Sequence, residues 1–390
     1  RFSHDSEVVQ AGYYAVTLGD YHVRAELTAG RRVGWHRYTF PASRPAHVLL
    51  DLRPSIYDYP GKVLWASLRV HPDGTVTGCR TTRGWAPGRE LCFAMRFSQP
   101  MTSRELYDRE ADILYKGFKG PGNQPEDDDA ENGRALVGVF DFGKLKQPLE
   151  VKVAISPVSE ANAIANLDHD GAGWDFDARR AEAKAAWDKA LAVIDVESPK
   201  TATTLFYTAL YHALLQPTTF SDADGEYRGF DQKIHRVEGT QKIQYANFSG
   251  WDVYRSQLQL LTWLMPQVGS DIAQSLYNQA RQNHGEWDRW THDSGGTHVM
   301  AGDPSVPALA GIYAFGGRDF DLKGAYASLK YAATHVSAND LSDAGCNVEC
   351  VGQRPSLDQW MKLHYSATKS HAWGGAGETL EDATADFALS

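Results

Sequence analysis

Ala183-Lys184-Ala185-Ala186-Trp187-Asp188-Lys189-Ala190-Leu191-Ala192-Val193-Ile194 is where the chain changes character. Ala183, Trp187, Leu191 and Ile194 recur at nearly four-residue spacing, the period of a helix with one apolar face. The Ser198-Pro199 break ends it. Before about residue 158 the dominant period is two. Tyr13–Leu18, His22–Leu27, Gly34–Phe40, Ala46–Leu52, Lys62–Leu68, Thr75–Cys79, Cys92–Phe97 and Leu149–Ile155 read as short strands between Gly, Asp and Pro turns. Many short strands with regular turns predict a sandwich of two sheets. From Thr201 onward the helical period dominates. Helices are expected over 204–216, 251–265, 271–282, 307–315, 322–334, 355–366 and 378–390, with Pro266 closing the second. Amphipathic helices joined by short loops suit hairpins stacked into an α/α array or toroid. The expected organisation is a β-sandwich domain over 1–157, a helical linker over 158–200 and a partial helical barrel over 201–390.

Composition narrows the function classes. The chain has 390 residues, 42% hydrophobic and 23% charged, an ordinary balance for a globular protein with sizeable cores. Net charge is −10 with no basic stripe, which argues against nucleic acid as a partner. No apolar run is long enough for a membrane span. Aromatic residues are plentiful, with 11 Trp, 18 Tyr and 15 Phe, which suits both large cores and sugar binding. The four cysteines fall into two local pairs, Cys79 with Cys92 and Cys346 with Cys350. Each separation can close a disulfide, which points to an oxidising compartment: secreted, cell-surface or periplasmic. The opening Arg1-Phe2-Ser3-His4 carries no Met and no signal-peptide pattern, and it reads like the middle of a longer polypeptide.

The chemistry concentrates in Asn247-Phe248-Ser249-Gly250-Trp251-Asp252-Val253-Tyr254-Arg255. Ser249 can cap a helix starting just after it. Tyr254, Leu258, Leu261 and Met265 form its apolar face, and Asp252 and Arg255 share its first turn. An indole, a carboxylate and a guanidinium at one helix mouth match the needs of a sugar site. The ring covers C–H faces, and the charged groups hydrogen-bond hydroxyls. A structural Asp–Arg pair beside a core Trp remains the bland alternative. Two acidic stretches, the loop from Gly120 to Gly133 and the stretch Phe220–Gly229, read as solvated or polar turns. The second resembles the opening of a calcium loop but lacks the later ligand positions. The Gly-rich loop from Thr291 to Pro304 holds His292, Asp293, His298 and Asp303, could line a pocket, and has no His-Glu-x-x-His pattern.

Several segments together carry a family resemblance. They are Phe2-Ser3-His4, Gly12-Tyr13-Tyr14, Ala25-Glu26-Leu27-Thr28, His36-Arg37-Tyr38-Thr39-Phe40-Pro41 and Phe206-Tyr207-Thr208-Ala209-Leu210-Tyr211-His212. Tyr227-Arg228-Gly229-Phe230-Asp231, Asn247 to Asp252, and Thr379-Leu380-Glu381 with Ala385-Asp386-Phe387-Ala388 complete the set. In this order the set resembles the glycoside hydrolase family 92 α-mannosidases, from residue 2 to residue 388. The resemblance implies an N-terminal β-sandwich, a helical linker and an (α/α)6 barrel, with the substrate pocket between the two domains. It implies a calcium-dependent, exo-acting, inverting α-mannosidase acting on mannose-containing glycans or mannosyl phosphodiesters. It also implies that Asp252 binds the terminal mannose; Trp251 and Arg255 join it on the local reading above. The family's general acid, a Glu before Gly-Asn, has no match, since Gly122-Asn123 follows Pro121. Its Asn-Asp-Asp general-base stretch has no match either. Both carboxyl groups, and most calcium ligands, are therefore expected beyond Ser390, in the remainder of the same polypeptide. The alternatives are another sandwich-plus-toroid carbohydrate enzyme, such as a glycoside phosphorylase or a glucoamylase-like hydrolase, or a non-catalytic sugar-binding protein if the chain is complete at 390 residues.

Overall fold

The structure, a computed structural model, describes residues 1–54, 61–84, 88–109, 129–342, 352–355, 357–367 and 375–390. The chain forms two compact units, residues 1–197 with 222–224, and residues 198–221 with 225–390.

The first unit begins with β1 (Val8–Gln10), β2 (Tyr13–Leu18), β3 (Val23–Ala29), β4 (Val33–Thr39), β5 (Ala46–Asp51) and β6 (Val63–Val70). It continues with β7 (Val76–Thr82), β8 (Arg89–Phe97), β9 (Ser103–Asp108), β10 (Ala130–Gly133), β11 (Leu136–Gly143) and β12 (Leu149–Ser156). Nine strands pair in the order β1-β2-β3-β4-β12-β8-β7-β6-β10, and three in the order β5-β11-β9, all antiparallel. Period-two alternation sends Leu68, Phe140, Leu136 and Leu149 into one core. The far side of the larger sheet is covered by α1 (Glu160–Asp170) and α2 (Phe176–Leu191). Ala94 and Ala154 are small there, and Ala163, Leu167, Trp35 and Phe176 pack over them. Residues 129–133 were expected in a loop, but Ala130–Gly133 adds a strand to β6. Pairing along a sheet edge overrode a composition that reads as turn. β9, β11 and α1 also go beyond the strands and helices expected.

Cys79 and Cys92 are directly opposed on β7 and β8 and form a disulfide, with Cα atoms 3.9 Å apart. Cys346 and Cys350 lie outside the described residues.

Lys152, on β12, is almost fully buried and ties the sheet to the helices. Its Nζ donates to the carbonyls of Gly171 (2.7 Å) and Gly173 (3.0 Å) in the α1–α2 turn. It also lies 3.9 Å from the centre of the Trp174 ring. Asn166 of α1 and Ser156 hold Asp222 within this unit: Ser156 Oγ donates to it at 2.6 Å and Asn166 Nδ2 at 2.7 Å. The stretch 220–229 is thus no simple polar turn. Its Asp222 is buried and braced, and Glu226–Arg228 forms a strand.

The second unit holds α3 (Lys200–Ala213), β13 (Thr218–Thr219), β14 (Glu226–Arg228), β15 (Ile234–Arg236), β16 (Tyr245–Ala246), β17 (Phe248–Ser249), α4 (Gly250–Val253), α5 (Gln257–Leu264) and α6 (Pro266–Gln282). Then come β18 (Trp290–His292), β19 (Gly295–Gly296), α7 (Ser305–Ala314), α8 (Leu322–Thr334), α9 (Ala338–Ser342), α10 (Leu357–Leu363) and α11 (Gly375–Leu389). α5, α6, α7 and α11 pack around Leu258, Ile272, Leu276, Ile312 and Ala385.

The helix expected over 251–265 is interrupted. α4 is a single turn, and α5 starts afresh after Ser256. Pro266 ends α5 by holding Met265 out of helical geometry (φ −143°, ψ 77°), and it also opens α6 as its first residue. Proline restricts the residue before it, yet it fits the first turn of a helix, where its missing N–H costs nothing.

Candidate functional site

The segment 247–256 is fixed at three points. Asn247 sits between β16 and β17 in the left-handed region (φ 67°). Its side chain donates to Thr218 Oγ1 (2.7 Å) and accepts from the Asp293 N–H (2.9 Å). Phe248, fully buried, pairs with Thr291 of β18. Gly250 follows because a Cβ there would stand 2.5 Å from the Arg289 carbonyl oxygen and 3.0 Å from Pro304. Only glycine lets the chain pass that close.

Beyond this anchor come the three residues expected to bind sugar. Trp251 is half-buried, and Asp252 and Arg255 are exposed. Asp252 accepts from Ser249 Oγ, so Ser249 engages the carboxylate and makes no side-chain bond to the helix backbone as a cap. Arg255 does not form its ion pair with Asp252. Its Nη2 donates to Glu381 Oε1 at 2.6 Å, its Nε to the Trp251 carbonyl at 3.1 Å, and its guanidinium lies 4.8 Å from the ring centres of both Trp251 and Tyr254. The backbone still turns helically through Tyr254, with the Arg255 N–H donating to the Asp252 carbonyl at 3.3 Å, and the break falls after Arg255, at Ser256. Tyr254 donates its hydroxyl to the other Glu381 oxygen at 2.7 Å. Burial, reinforced by Glu381, pushes the Tyr254 hydroxyl up to about 12.

Glu381 belongs to an acidic helix that carries no base. α11 places Glu378, Asp382 and Asp386 at four-residue steps, with Glu381 three residues after Glu378. Glu378 and Asp382 are almost entirely buried. Burial first, then the Glu378 charge, pushes Asp382 well above the usual carboxylate range; burial likewise raises Glu378. The compensating cation comes from elsewhere. Arg354, with a fully buried side chain, donates to Asp303 Oδ2 (2.9 Å) and Asp386 Oδ1 (2.7 Å). Gly302 donates its N–H to Glu378 Oε1 at 3.1 Å. The Gly-rich loop is therefore braced by residues outside it. Asp303 is committed to Arg354, and His298 pairs with Asp288 at 2.5 Å. Sequence reasoning quoted Glu381 without assigning it a role. The available signal was four acids on one helix with no lysine or arginine among them. Among the described residues, no three His, Cys, Asp or Glu side chains are grouped as metal ligands.

Comparison with known proteins then decides the family. The profile of the glycosyl hydrolase family 92 N-terminal domain matches residues 1–156, and that of the family 92 catalytic domain matches residues 162–390. This chain belongs to glycosyl hydrolase family 92. Among solved structures, the family 92 α-mannosidase BT3965 of Bacteroides thetaiotaomicron matches over 100% of this chain and 49% of its own, at 29% identity and a TM-score of 0.87. Its complex with mannoimidazole matches with the same identity and score over 48% of that chain. The family 92 inverting mannosidase BT2199 of Bacteroides thetaiotaomicron VPI-5482 shares the fold at 23% identity and a TM-score of 0.81, over 100% of this chain and 49% of its own. A search of curated proteins finds no match. The family 92 chain described here thus spans about half the length of the solved structures it matches. Its fold is a β-sandwich followed by a mainly helical region, interrupted by the short strands β13 to β19, that is part of an (α/α)6 toroid. No helix among the described residues is long and apolar enough to cross a membrane.

Proposed function

We propose that the protein carrying this chain is a calcium-dependent, exo-acting α-mannosidase that inverts the anomeric centre. Its substrates are terminal α-linked mannose units of glycans or mannosyl phosphodiesters. The observation that carries this is family membership across both units, in order, joined to the binding of mannoimidazole by the relative BT3965. Inverting hydrolysis needs one carboxyl group to protonate the leaving oxygen and another to activate water on the opposite face of the ring. Neither group is assigned to a residue of this chain. A phosphate leaving group is already a stable anion and needs less help from an acid than a sugar alcohol does.

Asp252 is proposed to accept hydrogen bonds from hydroxyls of the terminal mannose, while the Trp251 ring covers an apolar sugar face. Arg255, held by Glu381, supplies donors beside it. Calcium is proposed on family membership. Among the described residues, no three His, Cys, Asp or Glu side chains are grouped to hold the ion. Secretion, or a cell-surface or periplasmic location, is proposed on the Cys79–Cys92 disulfide, because such bonds persist in oxidising compartments.

The test is Asp252→Ala, assayed on an α-mannoside in the full-length protein alongside a thermal melt. A lost charge-assisted hydrogen bond is worth about 1.5–3 kcal/mol, which corresponds to roughly one to two orders of magnitude in kcat/KM. Melting should barely change, because Asp252 is exposed while Val253, Tyr254 and Leu258 hold the core. An unchanged kcat/KM, or a loss explained wholly by unfolding, would remove Asp252 from the site.

A further inference from the structure

The outer face of the nine-stranded sheet holds a cavity of about 350 Å3 beside the first turn of α1. It belongs entirely to the first unit. Alternation along β6 decides what meets it. Ala66, Leu68 and Val70 enter the sandwich core, so Trp65, Ser67 and Arg69 fall on the opposite face. A bulge shifts the β6–β7 register between Val63 and Trp65, so that Trp65 comes opposite Thr81. Bulges re-aim side chains, and this one delivers an indole to the cavity wall.

The rest of the wall is polar. Glu160 comes from α1, Glu90 from β8 and Asn132 from β10. Ser67 donates to Glu160 at 3.3 Å, and Thr81 donates to Glu90 at 3.1 Å. The Cys79–Cys92 disulfide crosses the same face, so the floor is covalently held.

We propose that this cavity is a binding site for one neutral hexopyranose unit of a glycan. Three features select that ligand. The indole offers a flat apolar surface for ring C–H groups. Glu90 and Glu160 are acceptors and Asn132 and Arg69 are donors, matching hydroxyls that both give and take. Two carboxylates against one guanidinium disfavour an anionic sugar. The volume lies at the small end of the range for ligand pockets, about 300–1,000 Å3, enough for one ring rather than a chain. The cavity is built from residues of the first unit and the segment around Asp252 from residues of the second, and neither proposal depends on the other.

The experiment is fluorine NMR of the full-length protein labelled with 5-fluorotryptophan. Trp65→Phe and Trp251→Phe identify one signal for each site among the tryptophans. Methyl α-mannoside and methyl α-glucoside are titrated, with N-acetylneuraminate as the anionic control. The Trp65 signal should move saturably with both neutral sugars, with an affinity of roughly millimolar, and should not respond to the control. Glu90→Gln or Asn132→Ala should weaken that response about tenfold, the value of one lost hydrogen bond, with the other tryptophan signals in place. A stationary Trp65 signal overturns the proposal, even if Trp251 responds. So does an equal response to N-acetylneuraminate, or a response that neither variant weakens. A silent Trp251 signal beside a responding Trp65 counts against the Asp252 site alone.

Discussion

Glu381 is the residue on which the candidate sugar segment turns. One oxygen takes the Arg255 guanidinium and the other the Tyr254 hydroxyl, so a single carboxylate orients two neighbours of Trp251 and Asp252. It acts through them as a positioning residue. Glu381→Gln keeps the volume and an acceptor but removes the charge. Tyr254 should then ionise at lower pH, moving from about 12 back toward its ordinary value, because the hydrogen bond to Glu381 and its charge both raise it. An ultraviolet titration read against Tyr254→Phe would detect this. Loss of the charge-assisted bond to Arg255 should also lower kcat/KM on an α-mannoside by about tenfold, with little change in melting temperature. A Tyr254 titration identical to the parent's would show that Glu381 does not set this environment.

At the scale of elements, the sheet and its two helices are joined by a buried cation. Lys152 is 5% exposed, and its ammonium bonds two carbonyls of the turn between α1 and α2. Burial pushes its pKa down, and the neighbouring Arg96 acts in the same direction. The two hydrogen bonds and the Trp174 ring offset that cost. Lys152→Met preserves the stem yet leaves two carbonyls without this donor. The expected loss is about 1–3 kcal/mol, since relief of the buried charge offsets part of the missing bonds. Denaturant unfolding of parent and variant measures it, and equal midpoints would mean the turn is held by packing alone. The same scale explains why α4 and α5 are separate. Gln259 Nε2 donates to the Tyr254 carbonyl at 2.6 Å, satisfying a group that a continuous helix would have bonded through its backbone.

For the molecule as a whole, the chain does not divide at a single point. Residues 222–224 belong with the first unit, although their flanks belong to the second. Burial pushes the Asp222 carboxyl up to about 6, while hydrogen bonds from Ser156 and Asn166 act the other way. A raised folded pKa means that the native state holds this proton more tightly than the unfolded chain. Stability therefore falls as pH rises from about 4 through about 6, and the penalty is complete above that. Asp222→Asn cannot ionise and should lack this slope. Melting curves across the window should show the variant gaining on the parent as pH rises. Parallel curves would mean that Asp222 titrates alike in both states.

What the sequence determined by itself was the architecture and the lineage. Period two before about residue 158 and nearly four after it follow from how strands and helices alternate their faces, so they survive without knowledge of any partner. Asp252 and Trp251 could be singled out because Asn247 to Arg255 is contiguous. Tertiary structure decided what contiguity cannot reach. Arg255 answers Glu381, 126 positions away, rather than Asp252 three positions away. Asp386 of α11 finds Arg354 from another segment, and Asp222 finds Ser156 and Asn166. Pro266 carries the same restriction in either reading, and only the packing of α6 turns a helix stop into a helix start. Local pattern records which face of an element avoids water; it does not record which distant charge meets it there, because that partner is chosen by how the elements pack.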